Sequence, residues 1–115
     1  MEYVQLGKSD MRISRIAFGC MSLGDEDAAN EKVLHRAFDL GINFFDTADL
    51  YAKGMNERSV GKALKPYRDK IYIATKVGNQ WRTDGSGWDW NPRKEYILTE
   101  VEKSLQRLQI DHIDL

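Results

Sequence analysis

Apolar and polar positions along this chain follow two rhythms, one of short extended runs and one of helical faces, and the switch between them recurs. Tyr3 to Leu6 and Met11 to Ile13 are short runs on either side of GKSD, the pattern of a small hairpin around a Gly-containing turn, serving as a lid or plug outside the core. Arg15-Ile16-Ala17-Phe18 then predicts a buried strand ending at Gly19, where backbone must approach something closely, and a loop runs from Cys20 to Gly24. From Asp25 onward acidic residues come early and Val33, Leu34, Ala37, Phe38 and Leu40 share one helical face, with Gly41 as the stop. Ile42-Asn43-Phe44-Phe45 predicts a strand closing at Asp46. Asn56 reads as the N-cap of a second helix that turns Val60, Ala63 and Leu64 inward and is bounded by Pro66. Ile71 to Thr75 is β-branched and too short for a helix, so it predicts a strand ending at Lys76. Val77 to Pro92 reads as a long polar loop holding Trp81, Trp88 and Trp90, and loops of that length are usually functional or mobile. A third helix spans Arg93 to Leu108 with Ile97, Val101, Leu105 and Leu108 on one face, and Ile110 to Leu115 opens a fourth strand.

Strand and helix alternating at this spacing predict parallel strands joined by right-handed helical crossovers. Two architectures share that signature, an open doubly wound sheet and a closed eight-stranded barrel. Both place ligands at the carboxyl ends of the strands. Those ends hold Gly19, Cys20 and Met21 after the first strand, Asp46 and the loop to Tyr51 after the second, and Lys76 after the third. A tyrosine hydroxyl ordinarily titrates near pH 10 and exchanges protons poorly at neutral pH unless its phenolate is stabilised. A lysine ammonium provides that stabilisation, and a carboxylate paired with the lysine holds it in place and keeps it charged. Each residue also has a plain reading: Asp46 as a turn or cap residue, Tyr51 as packing, Lys76 as a solvated side chain. Their joint placement gives the set its weight.

Composition narrows the picture. With 42% apolar and 30% charged residues in 115, the chain has the make-up of one ordinary globular domain. Seventeen basic residues stand against eighteen acidic ones, interspersed, for a net charge of -1, which argues against nucleic acid or a membrane surface as partner. The N-terminus lacks the form of a signal peptide and no apolar run reaches spanning length, so a cytoplasmic location is expected. A single cysteine excludes an internal disulfide. With His35 and His112 the only histidines, no metal site is expected. Cys20 has no evident base partner and reads as a small buried side chain.

The stretch GINFFDTADLYAKGMNERSVGKAL followed by IYIATKVG is similar to the aldo-keto reductase signature: a Gly, an apolar strand, Asp-Thr-Ala, a Tyr, an Asn-Glu pair and a Gly in that order. The hairpin, AFGCMSLG and LQIDHIDL resemble the same family, so the likeness covers essentially the whole chain. The resemblance implies an α/β fold, the N-terminal half of a (β/α)8 TIM barrel preceded by a short β-hairpin, with residues 1–115 forming an incomplete barrel domain. A whole barrel typically takes about 250 residues, so the chain is expected to be an excerpt of a longer enzyme. By the same resemblance the complete protein interconverts aldehydes or ketones and alcohols with NADPH, acting on a small-molecule carbonyl substrate. Asp46, Tyr51 and Lys76 match three of the family's four catalytic residues: Tyr51 as general acid, Lys76 lowering its pKa, Asp46 orienting and charge-balancing Lys76. The fourth, a histidine, is expected shortly beyond the fourth strand, and His112 is a strand-edge side chain instead. Gly19, Cys20, Met21 and Asp46 are the expected cofactor-binding residues, near the nicotinamide. Glu57 belongs to the signature without being an acid in the chemistry, and complements the positive end of the second helix. The tryptophans serve either as a substrate wall or as packing over the rim. Three other readings stand beside the reductase: a non-catalytic binding or regulatory subunit on the same fold, an inactive truncated fragment of it, and a flavodoxin-like or receiver-like open sheet that folds alone.

Overall fold

A computed structural model describes residues Met1–Leu115. The N-terminal hairpin forms as the sequence predicts, β1 (Tyr3–Gln5) running antiparallel to β2 (Arg12–Ser14). It stands at the amino ends of the strands that follow. Asn43, just before the second parallel strand, accepts from the Ser14 N–H at 2.7 Å and donates to the Arg12 carbonyl at 3.0 Å, while the Tyr3 hydroxyl donates to the Gly41 carbonyl at 2.8 Å. The hairpin is therefore a plug on the end of the sheet remote from the strand termini that carry Asp46 and Lys76.

Three parallel strands follow in spatial order β3 (Phe18–Gly19), β4 (Phe44–Asp46) and β5 (Tyr72–Ala74), separated in sequence by helices α1 (Asp27–Asp39) and α2 (Met55–Leu64). Their register pairs Phe18 with Phe45 and Phe45 with Ile73. Because strand side chains alternate between faces, Phe45 and Ile73 turn the same way. Both are fully buried beside Leu34 and Ala37 of α1 and Val60, Ala63 and Leu64 of α2. Helix α3 (Lys94–Leu108) closes this layer through Leu108, and Ile113 to Leu115 then runs beside β5. The Leu115 N–H donates to the Ile73 carbonyl at 3.3 Å and the Thr75 N–H to the Leu115 carbonyl at 3.0 Å. These bonds have the offset of a parallel pair, but the strand expected over Ile110 to Leu115 does not form: the segment is irregular, with a bend at Asp111. No helix is long and apolar enough to cross a membrane.

Three local expectations are corrected. The first parallel strand begins at Phe18 and not at Arg15, because Arg15 and Ile16 form a bend and Ile16 is exposed. The N-cap of α2 is Gly54, at φ +89°, and Asn56 lies inside the helix, buried. Residues expected as an irregular loop contain an antiparallel ribbon, β6 (Asn79–Trp81) with β7 (Trp88–Trp90), closed through glycines at positive φ and by Arg82 paired with Asp89. Asn79-Gln80-Trp81 and Trp88-Asp89-Trp90 lack the apolar, β-branched run that marks β4 and β5 in the sequence.

Candidate active site

The parallel register sets Gly19, Asp46 and Ala74 level with one another, so the residues that follow each strand share one rim. Lys76, two residues past β5, reaches back across that rim. Its Nζ lies 2.8 Å from Asp46 Oδ2, 2.8 Å from the Thr47 carbonyl and 3.3 Å from the Tyr51 hydroxyl, with the Tyr51 ring centroid 5.1 Å away. The structure thus brings together all three residues singled out in the sequence. Partial burial works against the Lys76 charge, but hydrogen bonds to Asp46 and Tyr51 and the charge of Asp46 outweigh it and hold the ammonium above the ordinary lysine range. The lysine stays charged throughout neutral pH, half exposed and open to the rim.

Tyr51 opens a 3-10 turn, Tyr51–Gly54, in which Ala52 (φ 49°), Lys53 (φ 54°) and Gly54 (φ 89°) are consecutively left-handed. For Ala and Lys this conformation is strained, and such strain persists only where the surroundings enforce it. Here they do. Gly54 packs on the Arg107 side chain, where an added Cβ would stand 2.8 Å from Arg107 Cδ. The ribbon holds the other side, Trp81 Nε1 donating to the Leu50 carbonyl at 3.2 Å and Lys53 Nζ sitting 5.1 Å from the Trp81 ring centroid. Trp81 opposes Trp88 in the ribbon, and Trp88 and Trp90 meet edge to face at 5.7 Å, so one ribbon face carries all three indoles.

Two adjacent residues of α2 fasten the rim from beneath, and neither role was legible beforehand. Asn56 accepts from the Thr47 hydroxyl at 2.6 Å and donates to the Cys20 carbonyl at 2.8 Å, joining the ends of β3 and β4. Glu57, fully buried, accepts from the Thr75 hydroxyl at 2.6 Å and from Arg107 Nε at 2.6 Å, joining the end of β5 to α3. It stands in the first turn of α2 as expected, but its carboxylate serves this buried pair. Of the residues expected to meet a cofactor, Gly19 is exposed with nothing within 4 Å of where a Cβ would stand, and Met21 is exposed. Cys20 turns its thiol into the core, where burial and then the Asp46 charge push it up to about 12. A thiol held that high is a packing group and not a nucleophile. His35 bonds the Ala63 carbonyl at 2.7 Å and packs on Tyr67, and His112 is exposed against Asp111, both away from the rim.

Asp49, in the loop between Asp46 and Tyr51, is buried. Its burial and the charges of Glu100 and Glu57 push it up to about 6 against the opposing pull of Arg107. A carboxyl raised in the folded state contributes stability that is fully present below its unfolded value near 4 and is lost as pH rises through about 6. Asp49→Asn in the whole protein is expected to flatten the fall in urea-measured stability between about pH 4 and 6 and to leave the fold more stable than the parent at pH 7. Identical pH slopes for the two proteins would contradict this assignment.

Comparison with known proteins agrees with the geometry. The chain is 50% identical over 111 residues to the uncharacterized oxidoreductase YqkF of Bacillus subtilis (strain 168), an alignment covering 96% of this chain and 36% of that protein. It is 37% identical over 110 residues to the aldo-keto reductase yakc [NADP(+)] of Schizosaccharomyces pombe, covering 90% of this chain and 32% of that one. Among solved structures, the holo form of aldo-keto reductase AKR11C1 from Bacillus halodurans superposes with a TM-score of 0.94 at 50% identity, covering 98% of this chain and 38% of that chain. The chain thus spans about a third of the length of these relatives and supplies the first strands and helices of their (β/α)8 barrel. The family profile described as the Aldo/keto reductase family matches residues 15–115, from just before β3 to Leu115, and the chain belongs to that family.

Proposed function

We propose that the whole protein interconverts aldehydes or ketones and the corresponding alcohols using NADP(H), with Tyr51 as the general acid and base. The observation that carries this reading is the Lys76 ammonium held at once by the Asp46 carboxylate at 2.8 Å and the Tyr51 hydroxyl at 3.3 Å. In the reducing direction the Tyr51 O–H donates its proton to the carbonyl oxygen of the substrate, and the adjacent ammonium stabilises the phenolate left behind. In the oxidising direction the same phenolate accepts the proton of the alcohol. Asp46 and the Thr47 carbonyl fix Lys76 so that its charge faces Tyr51 in both directions.

The residues present fit the nicotinamide end of such a cofactor. Gly19 stands level with Asp46, and its open backbone leaves room for a flat ring against the rim. Cys20 supports this rim through its backbone, its carbonyl fixed by Asn56, and Met21 offers an exposed apolar side chain beside it. When bound, the dihydronicotinamide supplies the hydride. Preference for the phosphorylated form rests on the relative from Schizosaccharomyces pombe, whose name carries NADP(+). The indole face of the ribbon, tied to Leu50 beside Tyr51, suits an apolar carbonyl compound as substrate.

The test is stoichiometric. The whole protein, given NADPH and a panel of aliphatic and aromatic aldehydes, is expected to form one alcohol for each NADPH consumed, fastest on the aromatic members. NADPH binding without alcohol formation across the panel would favour a non-catalytic role on the same fold.

A further inference from the structure

Arg107 lies on α3, away from the rim, and nothing in the proposed chemistry uses it. Its side chain is 12% exposed and pairs at 2.6 Å with Glu57, itself fully buried, and at 3.0 Å with Glu100, 13% exposed, while also donating to Ser104 Oγ at 3.1 Å. Desolvation works against this charge, but the hydrogen bonds and charges of Glu57 and Glu100 outweigh it and hold the guanidinium in its charged form. Breaking a buried pair of this kind is costly, whereas forming one brings little net stability, so the position calls for a role other than simple adhesion. Its neighbours supply one. The second oxygen of Glu57 takes the Thr75 hydroxyl at 2.6 Å, and Thr75 is the residue before Lys76. The stem of Arg107 also lies under Gly54, the last residue of the strained turn that carries Tyr51.

We infer that Arg107 is a positioning residue: through Glu57 and Thr75 it sets the strand end bearing Lys76, and through Gly54 it supports the turn bearing Tyr51, so that the two side chains meet. The inference rests on the proton-transfer reading of Tyr51 and Lys76 given above. Two contacts of one arginine side chain thus bear on two elements that are otherwise joined by the Asp49 N–H on the Lys76 carbonyl at 3.4 Å and by the side chains that react. Positioning errors of about 1 Å cost up to about a hundredfold in rate.

The deciding variant is Thr75→Val in the whole protein, which removes one hydroxyl and leaves the Arg107–Glu57 pair intact. Beside it stands Glu57→Gln with Arg107→Met, which removes both charges so that neither is left buried alone. Each is expected to lower kcat about tenfold or more, with KM for the carbonyl compound and the Kd for NADPH within about twofold of the parent. Arg107→Lys, keeping one donor to Glu57, is expected to fall between. A second readout needs no turnover: the titration of Lys76 followed by NMR of lysine labelled with 13C at Cε. Lys76 faces Asp46 and Tyr51, and as those contacts loosen its midpoint is expected to move down toward that of an ordinary lysine. An unchanged Lys76 midpoint in Thr75→Val overturns the inference whatever the rate does. Absence of carbonyl reduction in the parent protein would instead overturn the reductase reading, leaving the titration to judge the positioning role by itself.

Discussion

Tyr51→Phe in the whole protein is expected to reduce kcat for carbonyl reduction about a thousandfold, within the range set by losing a positioned general acid, while NADPH affinity and thermal stability stay near those of the parent. The reasoning is local. The phenylalanine ring occupies the same place beside the Lys76 ammonium, 5.1 Å from its centroid, and Lys76 keeps its bonds to Asp46 and the Thr47 carbonyl. Only the hydroxyl at 3.3 Å is lost, and Tyr51 is half-buried, so the change in stability stays within about 0.5 kcal/mol. The proton then has to come from water or from Lys76 itself, whose ammonium is held above the ordinary lysine range and is a weaker acid for it. Turnover within a few fold of the parent would remove Tyr51 from the chemistry.

Gly61→Ala is expected to be the most damaging small substitution for the fold. Gly61 lies in the middle of α2, where alanine is intrinsically better than glycine by about 1 kcal/mol. The neighbouring helix reverses that preference. A Cβ at this position would stand 2.3 Å from the Leu108 carbonyl oxygen and 2.6 Å from its Cα, all backbone atoms at the last turn of α3. Backbone cannot rotate aside as a side chain can, so α2 and α3 must separate, loosening the fully buried Leu108 and its neighbour Arg107. A net loss of about 2–3 kcal/mol is expected in urea unfolding of the whole protein, accompanied by a fall in kcat as the Arg107 anchor shifts. A variant as stable as the parent would mean that the helices have room the backbone distances deny.

Much of this was legible in the sequence because the signals were local. The apolar runs ending at Asp46 and Lys76 placed both residues on one rim, and the register of Gly19 with Asp46 and of Asp46 with Ala74 shows why. The face of α1 was legible in part: Leu34 and Ala37 are buried as expected while Val33 and Leu40 are exposed, and Gly41 at φ +93° follows the end of the helix where expected. What escaped depends on partners distant in the chain. Glu57 and Arg107 lie 50 positions apart, and no periodicity links a glutamate in one helix to an arginine in another. Glu100, Ser104 and Arg107 do recur at spacings of one helical face, a polar stripe that could have drawn notice within α3. Asn56 was misplaced by a rule about local backbone, since an Asn before a helical run is usually a cap. Here the left-handed Gly54 begins the helix, and the amide is used to tie Thr47 to the Cys20 carbonyl. The ribbon around the tryptophans was not legible because Asn79-Gln80-Trp81 and Trp88-Asp89-Trp90 mix polar residues with indoles and carry no β-branched run, although Gly85 and Gly87 mark its turn.

The central claim is that Tyr51 and Lys76 act as one proton-transfer unit across the strand-end rim. The most direct test is a double-mutant cycle on kcat with Tyr51→Phe, Lys76→Met and both together in the whole protein. A shared unit predicts that the double variant is about as slow as the slower single variant, because the second substitution finds nothing left to remove. Losses that multiply, each substitution costing the same with or without the other, would show two independent side chains and contradict the account.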